Sequence, residues 1–253
     1  MSKSVIIGCY YGDLAAYRNG YTVVAVDVVR ATTTAVTAAA LGRRCFPAPS
    51  LEAAWKLADG LPSALLAGEQ AGRMPAGFHL NNSPSQIAMR TDGERPLILL
   101  SSSGTRLCHA ASTCETGLIA CLRNFAATAN FLANRSSKIA VIAAGTHGEF
   151  REEDQMCCAW ITGRLLDLGY QAGDRDTLNM VRQWASKPAD AWTASSRSVG
   201  FLRNSGQLAD LDFILGHVED IDQTYVLQKG EVRPAPIVPS VVLDARRQNH
   251  RVW

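Results

Sequence analysis

A β-branched apolar run, Val23-Val24-Ala25-Val26, breaks at Asp27 and Arg30 and is followed by Thr32-Thr33-Thr34 and an alanine-rich stretch. That order describes a buried strand whose end opens into a helix N-terminus, where free backbone N–H groups and a partial positive charge suit an anion. Asp27 is then placed to hold a cation, and Arg30 to clamp a phosphate with two parallel hydrogen bonds. A plainer arrangement uses the same residues: Asp27 and Arg30 pair with each other, and Thr32 caps the helix. The spacing alone does not choose between them.

Three other apolar runs end in reactive residues. Gly68-Glu69 follows 64–67, Ser101-Ser102-Ser103-Gly104-Thr105 follows 97–100, and a segment from Gly145 to Glu149 follows 138–144. In open α/β sheets ligands bind beyond the carboxyl ends of the strands. Convergence of these ends would pool carboxylates, one guanidinium, hydroxyls and glycine-permitted N–H donors. Such a pool suits a phosphate ester with a hard divalent cation such as Mg2+, which prefers oxygen ligands and retains waters.

Each segment also has an ordinary structural use. The serine-rich turn fits a capped strand–helix junction as well as a phosphate cradle, and it lacks the Gly-Lys-Ser/Thr of a P-loop. Glu69, an acid at the end of a buried strand, needs a partner or a metal. The run Arg151-Glu152-Glu153-Asp154 reads as a solvated acidic helix start. His79 and His147 lack the spacing of zinc ligands, and no G-x-S-x-G elbow supports a serine hydrolase.

The elements that must position these residues alternate. Strands are expected at 5–7, 21–29, 43–46, 64–67, 97–100, 117–122, 138–144, 225–227 and 232–237, with Pro47 and Pro49 ending the third. Helices are expected at 32–41, 51–59, 84–89, 106–111, 124–133, 152–168, 176–184 and 195–204. Their punctuation is readable in Ser50 and Ser83 as caps, Pro84 at a first helical position, and Gly42, Gly60 and Gly169 past helix ends. Residues 10–13 form a turn, and 211–215 fit either a strand or a helix. The alternation implies a layered α/β/α protein with a mostly parallel or mixed sheet. Residues 134–137 are the best boundary between an N-terminal half, 1–135, carrying the main motifs, and a C-terminal half, 136–253. One integrated domain is the alternative.

Composition narrows the class. Apolar residues at 47% and charged residues at 19% describe a globular chain. The 25 Lys+Arg against 23 Asp+Glu leave a net charge of +2, too near neutral to imply nucleic acid, despite Arg246, Arg247 and Arg251. No apolar stretch approaches the roughly 18 residues that would suggest a membrane span, and no secretory h-region is seen. Seven cysteines with no C-x-x-C pair read as reduced, mostly buried thiols in a cytoplasmic protein, with a catalytic cysteine as the minor alternative.

Taken in order, the segment from Asp27 to Thr34, Gly68-Glu69, Asn82-Ser83-Pro84, Ser102-Ser103-Gly104-Thr105 and Glu153-Asp154 resemble the motif series of the 2-phosphosulfolactate phosphatase family. Residues 198–202 and 211–214 fit its later part more loosely, so the resemblance spans roughly 20–235. The first motif is specific; the others gain weight from their order. The resemblance implies a layered α/β, Mg2+-dependent phosphatase that converts 2-phospho-3-sulfolactate to 3-sulfolactate and phosphate, a step toward coenzyme M. It nominates Asp27, Arg30 and Glu69 as catalytic. Thr32, Asn82, Ser83, Ser102, Ser103, Gly104 and Thr105 would hold substrate, and Asp27, Glu69 and Asp154 the metal. The nucleophile, water or Asp27 itself, stays open.

The expected partner is a small anionic phosphorylated substrate, with neither nucleic acid nor membrane, and a homodimer is carried as an expectation. Three departures stand out: His79-Leu80-Asn81 where the family has an acid followed by Leu-Gly, Ser103 where it has asparagine, and Val226-Leu227 where it has Val-Pro. They leave phosphate chemistry in place. They also open two alternatives, an enzyme for another organophosphate or phosphonate-like acid, and an anion-binding module without turnover.

Overall fold

In the computed structural model, residues 3–9, 14–133, 135–145 and 149–236 are described. The strands are β1 (Ser4–Cys9), β2 (Thr22–Val26), β3 (Cys45–Ala48), β4 (Leu65–Gly68), β5 (Leu97–Leu100), β6 (Thr116–Ala120), β7 (Lys138–Ala143), β8 (Gln171–Ala172), β9 (Tyr225–Gln228) and β10 (Glu231–Pro234). The helices are α1 (Ala31–Ala40), α2 (Leu51–Gly60), α3 (Pro84–Ala88), α4 (Gly104–Ala111), α5 (Phe125–Leu132), α6 (Glu152–Asp167), α7 (Arg175–Trp184), α8 (Arg197–Asn204) and α9 (Leu208–Gly216). A short 3-10 turn covers Leu14–Tyr17.

The ten strands of the described residues form one sheet in the order β4-β5-β3-β10-β9-β6-β2-β7-β1-β8. Strand β2 is central and buried throughout, as a β-branched run flanked on both sides must be. It runs parallel to β6 and β7, with Val26 level with Ala120 and Ala143. Strands β4, β5 and β3 form one parallel block; β6, β2, β7, β1 and β8 form another. The β9–β10 hairpin joins them through three antiparallel pairings, so the two blocks run in opposite senses. Because β1 and β2 pair directly with β7, strands from both sides of position 135 share the sheet.

Helices cover both faces. Apolar residues of α5 to α9 pack on one face of the larger block. Those of α1 and α4 fill a second core against β2 to β6 and the hairpin. A third, smaller cluster places α2 on β3 to β5. The layered α/β expectation is met. Ser50, Ser83 and Asp174 accept amide hydrogen bonds as caps of α2, α3 and α7.

Some details differ from the sequence reading. The strand expected over 21–29 stops at Val26, and the helix after it starts at Ala31. Pro47 lies inside β3 rather than ending it. The hairpin pairs with β3 only at Cys45, so Pro47 costs the ladder no amide there. Residues 211–215 belong to helix α9. The turn at 10–13, Asn134 of the expected boundary, the glycine-flanked His147 and the basic tail lie outside the described residues.

Candidate active site

Asp27 closes β2 and is only 8% exposed. Its backbone is pinned by Thr32, whose Oγ1 donates to Asp27 O at 2.8 Å and accepts from Asp27 N at 2.9 Å. Thr32 therefore ties the strand end to the helix instead of capping it; α1 has no side-chain cap. Asp27 Oδ1 accepts the Ala31 amide at 3.1 Å. Its other oxygen lies against the first residue of α4: a Cβ at Gly104 would fall 2.1 Å from Asp27 Oδ2. Only glycine admits this carboxylate to the α4 N-terminus.

Asp154, from the first turn of α6, reaches the same strand end, where its Oδ1 accepts the Val28 amide at 2.7 Å. Beside it Glu153 accepts a 2.8 Å hydrogen bond from Ser196 Oγ. Both acids are buried, at 4% and 1% exposure, so the acidic run expected to be solvated sends two of its members inward. Burial pushes the Asp27 carboxyl up to about 7, reinforced by the charges of Glu69 and Glu153. Burial likewise raises Asp154, with Asp27 and Glu153 adding repulsion, and raises Glu153. Acidic groups are thus concentrated at the carboxyl end of β2, and none of the three forms an ion pair among the described residues, which is the environment expected of a functional site.

Glu69 organises the serine-rich turn. Its Oε1 accepts the Ser102 amide at 2.6 Å, and Oε2 accepts Ser102 Oγ at 2.8 Å and the Gly72 amide at 2.7 Å. Ser102 Oγ in turn accepts from Ala71 N. Thr105 exchanges hydrogen bonds with Ser101 and is fully buried, a structural clasp. Ser103 stands at the N-cap of α4 without using its side chain there. Gly68, just before Glu69, lies so close to β5 that a Cβ would meet Leu100 O at 2.4 Å.

Arg30 is placed differently from either sequence reading. It does not pair with Asp27; its Nη1 donates to Asp210 Oδ2 at 2.6 Å and also to Gln207, and its Nη2 donates to Asn82 Oδ1 at 2.9 Å. Arg30 and Asp210 are 3% and 2% exposed. Asp210 Oδ1 also accepts from Ser83 Oγ and Ser85 Oγ, each at 2.6 Å. Arg30, Asn82 and Ser83 therefore form one buried network with α9, next to the acidic cluster. Asp210 and Gln207 were missed from sequence. The available signal was an acid on the same helical face as Leu211 and Ile214, legible only once 208–216 is read as a helix.

Two buried carboxylates could contribute to a cation site. Asp27 and Asp154 offer hard carboxylate oxygens within each other's field, and Asp27 Oδ2 takes no hydrogen bond among the described residues. Among the described residues no three acid, histidine or cysteine side chains gather as a ligand set. The type that fits is one in which one or two carboxylates bind an ion that keeps its waters and takes phosphoryl oxygens. Other chemistries recede. No cysteine is in a disulfide, and burial pushes the Cys45, Cys108, Cys121, Cys157 and Cys158 thiols up, away from the reactive thiolate. His79 Nδ1 accepts the Leu66 amide at 3.0 Å, a structural use. No helix of the described residues is long and apolar enough to cross a membrane.

Comparison with known proteins identifies the family. Residues 12–229 match the family described as 2-phosphosulpholactate phosphatase. A protein of Deinococcus radiodurans named probable 2-phosphosulfolactate phosphatase is 34% identical over 193 residues, 74% of this chain and 80% of its own. One of Symbiobacterium thermophilum with the same name is 32% identical over 206 residues, 80% of this chain and 81% of its own. Another, of Clostridium perfringens, is 27% identical over 239 residues, 92% of this chain and 96% of its own. The chain belongs to the 2-phosphosulpholactate phosphatase family and is a phosphoric monoester hydrolase.

Proposed function

We propose that the protein is a Mg2+-dependent phosphatase that hydrolyses 2-phospho-3-sulfolactate, or a closely similar small anionic phosphate monoester, to 3-sulfolactate and phosphate. The observation that carries this reading is the contact of the Asp27 carboxylate with Gly104 at the start of α4, beside Asp154. A phosphoryl group bound at this helix start meets backbone N–H donors on one side and Asp27 Oδ2 on the other.

Asp27 and Asp154 would hold the metal, with Glu69 a more distant acid already occupied by the Ser102 turn. Bound there, Mg2+ supplies positive charge that offsets the carboxylates and the phosphoryl oxygens. The protein's own residues do the rest. Glu69 fixes the turn through three hydrogen bonds, so the amides that face the phosphoryl oxygens are ordered before substrate arrives. Asp27 Oδ2, which takes no hydrogen bond among the described residues, is the oxygen left to face the ion or the phosphoryl group. The Arg30 network fixes the loop between Asp27 and α1.

Phosphate release from 2-phospho-3-sulfolactate and a panel of phosphorylated hydroxy acids, with and without Mg2+, tests the reading. Mg2+-dependent release that is greatest with the sulfonate is the expected result. Asp27→Ala should abolish it in a folded protein, and Gly104→Ala should lower it at least ~100-fold, the scale of losing a positioned group. Greatest release from another ester would move the substrate, and metal-independent release would remove the Mg2+ assignment.

A further inference from the structure

The acidic cluster poses a problem for the proposed substrate, which carries acid groups besides its phosphate. Arg30, whose charge acts on Asp27, is buried and committed to Asp210, Gln207 and Asn82. A second cation acts on the cluster. Arg151 immediately precedes α6, three residues before Asp154, and its charge acts on the Asp154 carboxyl. Its Nη1 donates to Glu149 Oε2 at 2.9 Å, and Glu149 Oε1 accepts from Arg197 Nη1 at 2.5 Å. Arg197 opens α8 right after Ser196, the residue that holds Glu153. Two guanidinium groups bridged by one carboxylate therefore border the site.

Arg151 also carries an anomaly. Its side chain is 12% exposed, and its Nε is buried with no hydrogen-bond partner among the described residues. A buried charged donor left unpaired is costly, and native structures keep one where an acceptor arrives from elsewhere. Glu149 occupies Nη1, while Nε, enclosed by the protein, is left with no acceptor among the described residues. The guanidinium is thus anchored at one edge and unsatisfied at the other, on the residue that opens the helix carrying Asp154.

We propose that Arg151, steadied by Glu149 and seconded by Arg197, is the specificity determinant that binds the acid group of the substrate remote from the phosphate, a sulfonate or carboxylate. The proposal rests on the phosphatase reading above. It explains how a site rich in carboxylates accepts a multiply charged ester: the ion and α4 take the phosphoryl end, and the Arg151 pair takes the other. Arginine suits this position because its planar fork matches a two-oxygen anion while the far edge stays on Glu149.

The test compares Arg151→Gln, Arg151→Lys and Arg197→Gln with wild type on two esters, phospholactate, which bears a second acid, and phenyl phosphate, which does not. Arg151→Gln should raise KM for phospholactate about 10- to 100-fold, the scale of one charge-assisted hydrogen bond, with phenyl phosphate kinetics unchanged. Arg151→Lys should recover part of the loss, and the exposed Arg197→Gln should show a smaller rise. Equal effects on both esters, or an unchanged KM for phospholactate, would overturn the assignment. Thermal melts separate these outcomes from misfolding, and if Arg151→Gln fails to fold, Arg151→Lys alone must show the selective rise in KM. If wild type hydrolyses no ester, the phosphatase reading fails, and calorimetry with 3-sulfolactate decides this one separately. Binding weakened by Arg151→Gln supports it, and equal binding or none to wild type overturns it.

Discussion

Asp27 illustrates how one side chain sets the working range of the protein. Its carboxyl lies near 7 in the folded chain, chiefly from burial, against about 4 when unfolded. Between those values the folded state retains a proton that the unfolded state has lost, so stability of the metal-free protein falls as pH rises through this window. The raised Asp154 and Glu153 act in the same direction. Asp92, Asp220 and Glu231 are held low by arginines; their contribution is lost only in stronger acid and is constant across this window. Melting temperature without metal should therefore be higher at about pH 5 than at about pH 8. Mg2+ should raise it selectively at the higher pH, and Asp27→Asn should flatten the difference. A metal-free melting temperature that rises from the lower to the higher pH would contradict the buried-acid picture. At this scale the sequence was informative about residue types: an acid after a β-branched strand and a serine-glycine turn before a helix were visible. Their contact was not, because it links positions 27 and 104 through three dimensions.

Among elements, α9 contributes most that could not be read from its sequence. It docks Asp210 against Arg30, Ser83 and Ser85, and so fastens the loop before α1 and the start of α3 to the C-terminal helices. Asp210→Ala would leave the Arg30 charge buried and uncompensated, a loss of about 3–5 kcal/mol. Chemical denaturation should show that loss, and a change below ~1 kcal/mol would mean that Asn82 and Gln207 suffice to hold the guanidinium. Helices with caps were legible, since Ser50 and Ser83 announce themselves by type and position. Strands in the parallel blocks were legible as apolar runs. Segment 211–215 was ambiguous because its apolar residues fit either period, and the solvated reading of 151–154 failed because the start of α8 arrives from far along the chain to cover Glu153.

The whole molecule depends on a short piece of unusual pairing. Alternating strands and helices implied a layered α/β protein, and that much follows from hydrophobic pattern alone. Nothing local announced that the β9–β10 hairpin would be inserted between two parallel blocks of opposite sense. Glu69 and the Ser102 turn come from the block of β4 and β5, whereas Asp27 comes from the block of β2 and β7. The hairpin lies downstream of every one of these residues. A nascent chain emerging from the ribosome therefore carries all the acids and hydroxyls of the site before it carries the pairing that joins their two supports. A chain ending at residue 222 should release no phosphate and should bind a dye that marks exposed apolar surface. Activity in that chain would show that α1 and α4 alone can hold the blocks together. Partial translation products would then be silent rather than promiscuous, and hydrolytic competence would arrive with the closing of the sheet.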